Sequence, residues 1–459
     1  MKQNPTPAPD LTTASSRASV RPDRRKFLTG LALGAGLAPL ATLFRTPVSA
    51  GAAGSAQNDL CYSTAKPPLT AQDFGLLGYY DLRTFGTNTT YMRGLTHRYV
   101  NGQLRLLSLS HTGVLVEFTP AASFGQTVTA STGQWNIGQV CGDFTGIWWE
   151  EAKQRLWVTA SIDYGDSGTY YPTRISTVTL GAGGAVSNVK TVSLQGINSK
   201  RVYGGVQPVP AWFQTQYGVG PYAVGFGGYT SLFQQVSWAS LGPELICIPD
   251  IAGYSNGAEV PAGACRVLLD TPSGQRGVRK TIPLNYFDGG DADPNGVRRE
   301  NPNSPPTIPP YVGAQWLSPN AQGLGWMVWG DSYYNTGMWI DGPNKQSFVA
   351  IASLGKGKCW YQGSTLHFDD RQFELHTWDA STLANGPQTR PTSMVELVVP
   401  RGVNPMSWDG DVPMANLSGA TFDATGSRMY VVGYPLGAPS TGPSGEWDTG
   451  RLYVYSVTA

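Results

Sequence analysis

Charged residues are scarce in this sequence. Only 14% of its 459 residues are Asp, Glu, Lys or Arg, and the formal net charge is +1. Proteins that bind nucleic acid or an anionic membrane surface use basic patches or stripes to do so. The composition therefore excludes partners that are held mainly by charge, and we expect no nucleic-acid partner.

Motifs with a defined chemistry are also missing. The chain has no GxSxG, no P-loop and no GxGxxG that opens a helix, so serine-hydrolase and nucleotide-binding functions have no support. Its five cysteines show no CxxC or CxxH spacing, and neither a zinc nor a redox motif is indicated. Cys247 and Cys265 flank a turn-rich segment, where we expect a disulfide that closes the loop.

Long apolar runs are absent after residue 50, and a membrane-spanning helix needs about 20 apolar residues. The first 50 residues differ from the rest. The motif DRRKFL at 23–28 resembles a twin-arginine export signal, and an apolar run at 28–44 and the small-x-small triplet VSA at 48–50 follow it. An uncleaved N-terminal anchor is the alternative. We predict a cleaved signal at 1–50, a linker at 51–74, and a periplasmic or secreted mature protein without a membrane span.

Glycine, proline and aromatic residues are plentiful, with 57 Gly, 34 Pro, 22 Tyr and 14 Trp. This composition is typical of many short strands joined by tight turns. The clearest unit is the last, residues 416–455, in which apolar strands alternate with turn clusters. One such sheet cannot bury its own faces, which indicates a repeat.

The repeat begins at a glycine followed by an apolar residue. The matching pairs are Gly94-Leu95, Gly146-Ile147, Gly205-Val206, Gly313-Ala314 and Gly419-Ala420. Successive glycines are 52, 59, 108 and 106 residues apart, so the two long intervals are close to twice the short ones. Strand patterns at 238–249, 347–360 and 372–378 fill those intervals.

These intervals predict an all-β fold, a single β-propeller over 75–459 with seven blades of about 50 residues each. Six or eight blades, or a β-sandwich, are the alternatives. We expect a monomer, in which the N-terminal strand at 76–82 closes the C-terminal blade by pairing with 451–457.

The chain resembles a group of bacterial, twin-arginine-exported β-propeller proteins of uncharacterised function. The export motif, the five Gly-apolar pairs, and the segments GFGGYTSLFQQVSWASLGPELICIP (225–249) and ELHTWDASTLANG (374–386) carry the resemblance. It covers most of residues 75–459. These motifs are structural, and the resemblance implies a fold without an activity.

In a propeller, the innermost strands and the loops between second and third strands meet at the axial mouth, where ligands bind. This mapping selects polar and aromatic candidates: Arg93, His97, His111, Asp143, Asp163, Arg201, Tyr203, Tyr311, Asp331, Asp409 and Asp411. Aromatic faces suit sugar rings. Asp in a Gly-rich loop is commonly a turn former, and aromatic residues commonly pack between blades.

Two functions fit these candidates. The first is a binding module for a carbohydrate or protein ligand. The second is a carbohydrate-active enzyme: paired carboxylates would suit a glycoside hydrolase, and an Arg/His/Tyr set would suit a polysaccharide lyase. No motif identifies a nucleophile or base, so the sequence favours binding slightly and leaves enzymatic activity undecided.

Asp291, Asp293 and Asn295 stand at positions 1, 3 and 5 of a segment with Gly296 at position 6. This is the spacing of a calcium loop, in which oxygen ligands converge on one ion. Pro302 occupies position 12, where such loops place a bidentate carboxylate. We predict a structural calcium site here, with a plain Asp/Asn/Gly turn as the alternative.

Overall fold

The computed structural model describes residues 65–82, 92–110, 113–138, 144–161, 174–194, 204–225, 245–269, 333–362, 365–385, 391–399, 416–434 and 450–459. All of them belong to one unit, Ala52–Ala459. Within this described part, the regular structure is almost entirely β. No helix in it has the length and apolarity that crossing a bilayer requires.

The strands are short and follow one another closely along the chain. The first eleven are β1 (Phe74–Leu82), β2 (Met92–Val100), β3 (Gln103–Ser110), β4 (Val114–Phe118), β5 (Thr127–Val128), β6 (Gly133–Asn136), β7 (Phe144–Glu150), β8 (Arg155–Ser161), β9 (Arg174–Leu180), β10 (Val186–Leu194) and β11 (Val206–Pro208). A helix, α1 (Ala211–Tyr217), follows β11. The others are β12 (Tyr222–Gly225), β13 (Leu245–Ile248), β14 (Glu259–Val260), β15 (Arg266–Leu269), β16 (Tyr333–Asp341), β17 (Gln346–Gln362), β18 (Thr365–Asp379), β19 (Ser393–Glu396), β20 (Asn416–Asp423), β21 (Arg428–Tyr434) and β22 (Gly450–Val457). Short 3-10 helices lie at Ala71–Asp73, Ala182–Gly184, Ile251–Gly253, Ala262–Ala264 and Ala380–Asn385.

The described strands form five sheets of four or five strands each. In chain order, these blades are β2-β3-β4-β6, β7-β8-β9-β10 with β14, β11-β12-β13-β15, β16-β17-β18-β19, and β20-β21-β22-β1 with β5. The innermost strand of each blade contacts the innermost strands of both neighbours, and β20 of the fifth blade contacts β2 of the first. The described residues therefore form a closed β-propeller of five blades.

Each seam, meaning the interface between two neighbouring blades, contains its own apolar cluster. Consecutive residues of a middle strand point to opposite faces and so enter different seams. In β3, Leu106 packs in the seam between blades 5 and 1, and Leu107 packs in the seam between blades 1 and 2. Because both faces of a blade are covered, its middle strands are almost continuously apolar.

The prediction of seven blades is wrong. The two long intervals contain no additional blade among the described residues. The strand patterns at 347–360 and 372–378 fall in β17 and β18, the second and third strands of the fourth blade. The pattern at 238–249 includes β13, the third strand of the third blade. The fourth blade begins at β16, and the pair Gly313-Ala314 lies outside the described residues.

Closure of the ring by the N-terminal strand is confirmed. Strand β1 pairs antiparallel with β22 from Phe74↔Val457 to Leu82↔Gly450. The innermost strands of the fifth and first blades approach closely at Gly419, where a Cβ atom would lie 2.5 Å from the backbone of Gly94 and Leu95. Only glycine permits this approach.

The connection between the third and fourth strands of a blade contacts the preceding blade. In the first blade, β5 lies in this connection and pairs in parallel with β1 of the fifth blade. In the third blade, β14 pairs in parallel with β10 of the second. In the fifth blade, the N-terminal segment 65–73 precedes the fourth strand, β1, and contacts the preceding blade. Lys345 of the fourth blade donates to Asp73 of this segment at 2.7 Å.

The predicted Cys247–Cys265 disulfide is not formed, and both thiols are free. Cys247 lies on β13 and packs in the seam between blades 3 and 4. Cys265 precedes β15 and packs toward the seam between blades 2 and 3. The two side chains therefore point to opposite faces of one sheet. Burial raises the pKa of both thiols, to about 11 for Cys265.

Candidate functional site

The strand directions distinguish the two ends of the ring. The innermost strand of each blade begins at one end, here called the mouth, and ends at the other, here called the base. Neighbouring strands within each blade are antiparallel, so the strand ends that lead into the segments between blades and into the segments between second and third strands lie at the mouth. These segments are 83–91, 111–112, 139–143, 162–173, 195–203, 226–244, 270–332, 363–364, 400–415 and 435–449.

Most of the predicted site residues belong to those segments and lie outside the described residues: His111, Asp143, Asp163, Arg201, Tyr203, Tyr311, Asp331, Asp409 and Asp411. The strands that flank these residues meet at the mouth in every case. Arg93 is the second residue of β2, at its mouth end. The predicted calcium ligands Asp291, Asp293 and Asn295 also lie outside the described residues.

His97 is a seam residue and not a mouth residue, so its prediction as a ligand contact is wrong. Its side chain is 3% exposed, and its Nδ1 lies 2.8 Å from Thr421 Oγ1 of the fifth blade. Burial lowers the pKa of His97 to about 4, against an opposing effect of Asp423, so the ring is neutral at pH 7. His97 therefore joins two blades, and burial keeps it from a ligand.

Polar contacts cross every seam at the base. They are Tyr99 OH to Asp423 Oδ1 at 2.8 Å, Arg98 over the Trp149 ring at 4.8 Å, Tyr222 OH to Glu150 Oε1 at 2.6 Å, Trp212 Nε1 to Gln346 Oε1 at 2.7 Å, and Lys345 Nζ to Asp73 Oδ1 at 2.7 Å. In each contact, the two partners belong to neighbouring blades. The base is therefore a ring of inter-blade contacts.

The densest group of charges lies at the base of the seam between blades 2 and 3. Glu150, 4% exposed, accepts hydrogen bonds from Tyr222 OH at 2.6 Å, Trp157 Nε1 at 2.8 Å and Arg155 Nε. Lys153 Nζ lies 3.0 Å from Glu150 Oε1 and 2.7 Å from Asp250 Oδ2. Two acids and two bases thus neutralise one another around the Tyr222 hydroxyl.

These charges are held in their ionised forms. Burial alone would raise the pKa of Glu150, but the hydrogen bonds from Tyr222, Arg155 and Trp157 outweigh it and lower the pKa. Burial would lower the pKa of Lys153, yet its bonds to Asp250, Tyr222 and Glu150 raise it. Acid–base catalysis at neutral pH needs a group whose pKa lies near 7. This cluster moves its groups away from that range and is structural.

A second buried pair lies in the seam between blades 3 and 4. His376 Nε2 is 3.0 Å from Glu374 Oε2, and both side chains are at most 4% exposed. Burial lowers the pKa of His376, while Glu374 opposes that shift. Among the described residues, no group of three or more His, Cys, Asp or Glu side chains is placed to hold a metal ion.

Sequence reasoning did not identify the base contacts, although a signal for them exists. Four residues after the glycine of the innermost strand stands a charged side chain in four blades: Arg98, Glu150, Asp341 and Asp423, after Gly94, Gly146, Gly337 and Gly419. Three of these glycines were recognised in the repeat. The charged residue four positions beyond the glycine is the part of the repeat that marks the base.

No family model matches the chain, and no curated protein matches it. Membership of a bacterial, twin-arginine-exported family therefore stays a prediction. The fold itself defines the class of protein, a β-propeller with five blades in its described part.

The chain is similar to solved structures at low identity. The PQQ domain of pyranose dehydrogenase from Coprinopsis cinerea is 12% identical with a TM-score of 0.39, over 85% of this chain and 98% of that chain. A member of the duf4221 family from Bacteroides vulgatus is 7% identical with a TM-score of 0.35, over 84% and 99%. The GH43_1 enzyme from Xanthomonas citri, complexed with xylose, is 9% identical with a TM-score of 0.36, over 80% and 88%. Likeness at this level carries no argument about function.

Proposed function

We propose that this propeller binds a carbohydrate or protein ligand at its mouth. The observation that carries the proposal is the difference between the two ends. The described charged side chains at the base are engaged in contacts across seams, as Glu150, Lys153 and Asp423 show. The ten segments that join strand ends at the mouth contain nine of the eleven polar and aromatic candidates of the sequence.

The lengths of the connections between strands support the same assignment of the ligand site to the mouth. Four of the five hairpins at the base are tight turns between first and second strands, as between β2 and β3, where Val100 pairs with Gln103. In the third blade, helix α1 lies between them. The segments 226–244, 270–332 and 400–415 all join strands at the mouth. Binding residues are concentrated in loops that a rigid scaffold positions. The strand ends that these three segments join therefore lie at the end where we place the ligand.

The test is a binding screen with variants at both ends. The chain from Gly51 is applied to a polysaccharide panel and a glycan array, and each hit is measured by calorimetry. We expect Asp409→Asn combined with Asp411→Asn, and separately Arg201→Met, to weaken binding more than about tenfold, which corresponds to about 1.4 kcal/mol. Asn101→Gly is the matched control at the base, because Asn101 is exposed and has a φ of 51° that glycine adopts without strain.

Unchanged affinity in every mouth variant would contradict the proposal. The same preparations report on catalysis. Product formation by the wild type that is lost in the Asp409→Asn and Asp411→Asn variant would replace binding with the hydrolase or lyase function, because carboxylates perform the acid–base steps of glycoside cleavage.

We also propose that calcium binds at Asp291, Asp293 and Asn295. We expect elemental analysis to find one calcium ion per chain and a chelator to lower the melting temperature, since a ligand at 100 times its Kd stabilises by about 2.7 kcal/mol. Asp293→Ala should melt at the same temperature with and without chelator. A metal-free wild type whose melting temperature does not change would contradict the site.

We propose that the protein is exported by the twin-arginine route, because the sequence contains the arginine pair at 24–25. We expect N-terminal sequencing of the exported protein to begin at Gly51. Replacement of Arg24 and Arg25 by lysine should keep the uncleaved chain in the cytoplasm. Export of that variant at the wild-type rate would contradict the proposal.

A further inference from the structure

The seam between blades 3 and 4 differs from the other seams because the innermost strand of the third blade places no charged side chain at the base. In the third blade, Val209 stands four residues after Gly205, in the position that carries a charged residue in the other four blades. The chain then turns into α1, which brings Trp212 and Phe213 into the seam. The polar contact at this base is therefore a neutral one, from Trp212 Nε1 to Gln346 Oε1.

This contact fixes the orientation of the Gln346 amide. An indole N–H can only donate, so the oxygen of the amide must face Trp212 and its nitrogen must point the other way. Gln346 is 1% exposed, and its Nε2 has no acceptor in the described part of the chain. A primary amide nitrogen, with two N–H donors, is thus buried inside the seam.

A second donor lies on the same face of the same blade. Trp339 pairs with Phe348 and Asp341 pairs with Gln346, so Trp339 and Gln346 are diagonal neighbours across β16 and β17. Trp339 is 6% exposed, and within the described residues its indole Nε1 also has no acceptor. Its ring packs between Phe213 and Phe348, at centroid distances of 5.4 Å and 5.3 Å, which fixes its position.

Two buried donors on neighbouring side chains need an acceptor. A donor that is left unsatisfied inside a protein forfeits the hydrogen bond it had with solvent. The side chains that pack in this part of the seam include Phe213, Phe348 and Trp378, which offer no charged partner to a larger ligand. The ionisable pair of the same seam, His376 and Glu374, is bonded to itself at 3.0 Å. A water molecule, by contrast, can accept from two donors, and buried waters typically satisfy such groups.

We propose that a single structural water molecule is bound in the seam between blades 3 and 4, where its oxygen accepts hydrogen bonds from Trp339 Nε1 and Gln346 Nε2. The water completes the polar contact that a charged side chain makes at other seams. It is a fixed part of the ring and exchanges with solvent only when blades 3 and 4 separate.

The experiment compares two tryptophans of equal burial. Trp135 is 7% exposed, and its Nε1 donates to the Gly181 carbonyl at 2.7 Å, so Trp135→Phe removes a satisfied donor. If Trp339 donates to a bound water, Trp339→Phe should lower the melting temperature about as much as Trp135→Phe. Both replacements also lose ring volume, so the comparison between them is what counts. If Trp339 has no acceptor, its replacement breaks no hydrogen bond, and the melting temperature should fall clearly less than in Trp135→Phe. That second result would overturn the proposal.

A crystal structure of the wild-type protein provides an independent measurement that needs no variant to fold. The proposal requires electron density for a water within hydrogen-bond distance of both nitrogens. A seam without that density would overturn the proposal, as would a protein acceptor at either nitrogen.

Discussion

Glu150 shows how single residues hold the blades together. Its carboxylate accepts from Tyr222 of the next blade and from Trp157 and Arg155 of its own. Removal of a charge from a buried, hydrogen-bonded pair leaves the partner charges uncompensated, which costs about 3–5 kcal/mol.

The first prediction concerns this carboxylate. We expect Glu150→Gln to lower the free energy of unfolding by about 3 kcal/mol, because Lys153 and Arg155 lose their buried carboxylate and keep only the more exposed Asp250 as a charged partner. The measurement is urea unfolding of the purified variant. Glu259→Gln is the control, since Glu259 is exposed and an exposed substitution changes stability by less than about 0.5 kcal/mol. Equal effects of the two substitutions would mean that the Glu150 cluster does not stabilise the seam.

The second prediction follows from the pKa of His97, which is about 4 in the folded chain against an ordinary value of 6.5. Between these values, the unfolded chain binds a proton that the folded chain excludes. The stability that His97 contributes is therefore fully present above about pH 6.5 and is lost as the pH falls toward about 4.

We expect the free energy of unfolding of the wild type to decrease as the pH is lowered through this window. The decrease is up to about 1.4 kcal/mol for each unit by which the pKa of His97 differs between the unfolded and folded chains. His97→Gln keeps an amide that can bond to Thr421 but has no proton to gain, so its free energy of unfolding should fall less steeply. Urea unfolding of both proteins at several pH values measures the difference. Parallel curves would show that His97 titrates alike in both states.

At the scale of elements, each blade is tied to the one before it by the connection between its third and fourth strands. In the fifth blade, the segment 65–73 takes the place of that connection. Asp73 accepts from Lys345 at 2.7 Å and 2.8 Å, and the Asp73 carbonyl accepts from the Thr458 backbone N–H at 2.9 Å. The segment before β1 is therefore anchored on the fourth blade and on the end of the fifth blade itself.

The third prediction is a double-mutant cycle across this anchor. Burial would raise the pKa of Asp73, but the bond from Lys345 and those within the turn lower it, so the carboxylate is charged. We expect Asp73→Asn and Lys345→Met each to destabilise the chain, and the double variant to lose less than the sum by about 1 kcal/mol. Thermal and urea unfolding give the three values. Additive losses would mean that the ion pair contributes no coupling.

The strands themselves could be predicted from the sequence, because the turn clusters and apolar runs that define them are local. The last unit, residues 416–455, in which strands were expected to alternate with turns, contains β20, β21 and most of β22. The grouping of strands into blades could not be predicted in the same way. Both faces of a blade are buried, so the period-2 alternation that would mark its faces is lost, and β17 looks like the start of another blade.

At the scale of the whole molecule, the number of blades depends on what fills the long intervals of the chain. Those intervals contain the mouth segments 226–244, 270–332 and 400–415, which lengthen the repeat without adding a blade to the described ring. The candidate site was predictable only as a position at the mouth, since convergence of side chains across an axis is a property of the assembled ring. His97 was misassigned because its strand begins at the mouth while its side chain lies in a seam.

The closed ring of five blades underlies both the mouth and the base, and one cross-link tests it most directly. Thr336 Oγ1 of the fourth blade lies 3.3 Å from the Gly204 carbonyl at the start of the third, and the segment 270–332 separates the two blades in sequence. In a protein carrying Gly204→Cys and Thr336→Cys, mild oxidation should produce a disulfide between these positions, which requires Cα atoms within about 7 Å. Mass spectrometry of the digested protein detects it, with Gly204→Cys alone as the control. A high yield of this cross-link is the predicted result. Failure of the cysteines to join in a folded protein would mean that these two positions of the third and fourth blades are not adjacent, which would contradict the five-bladed ring.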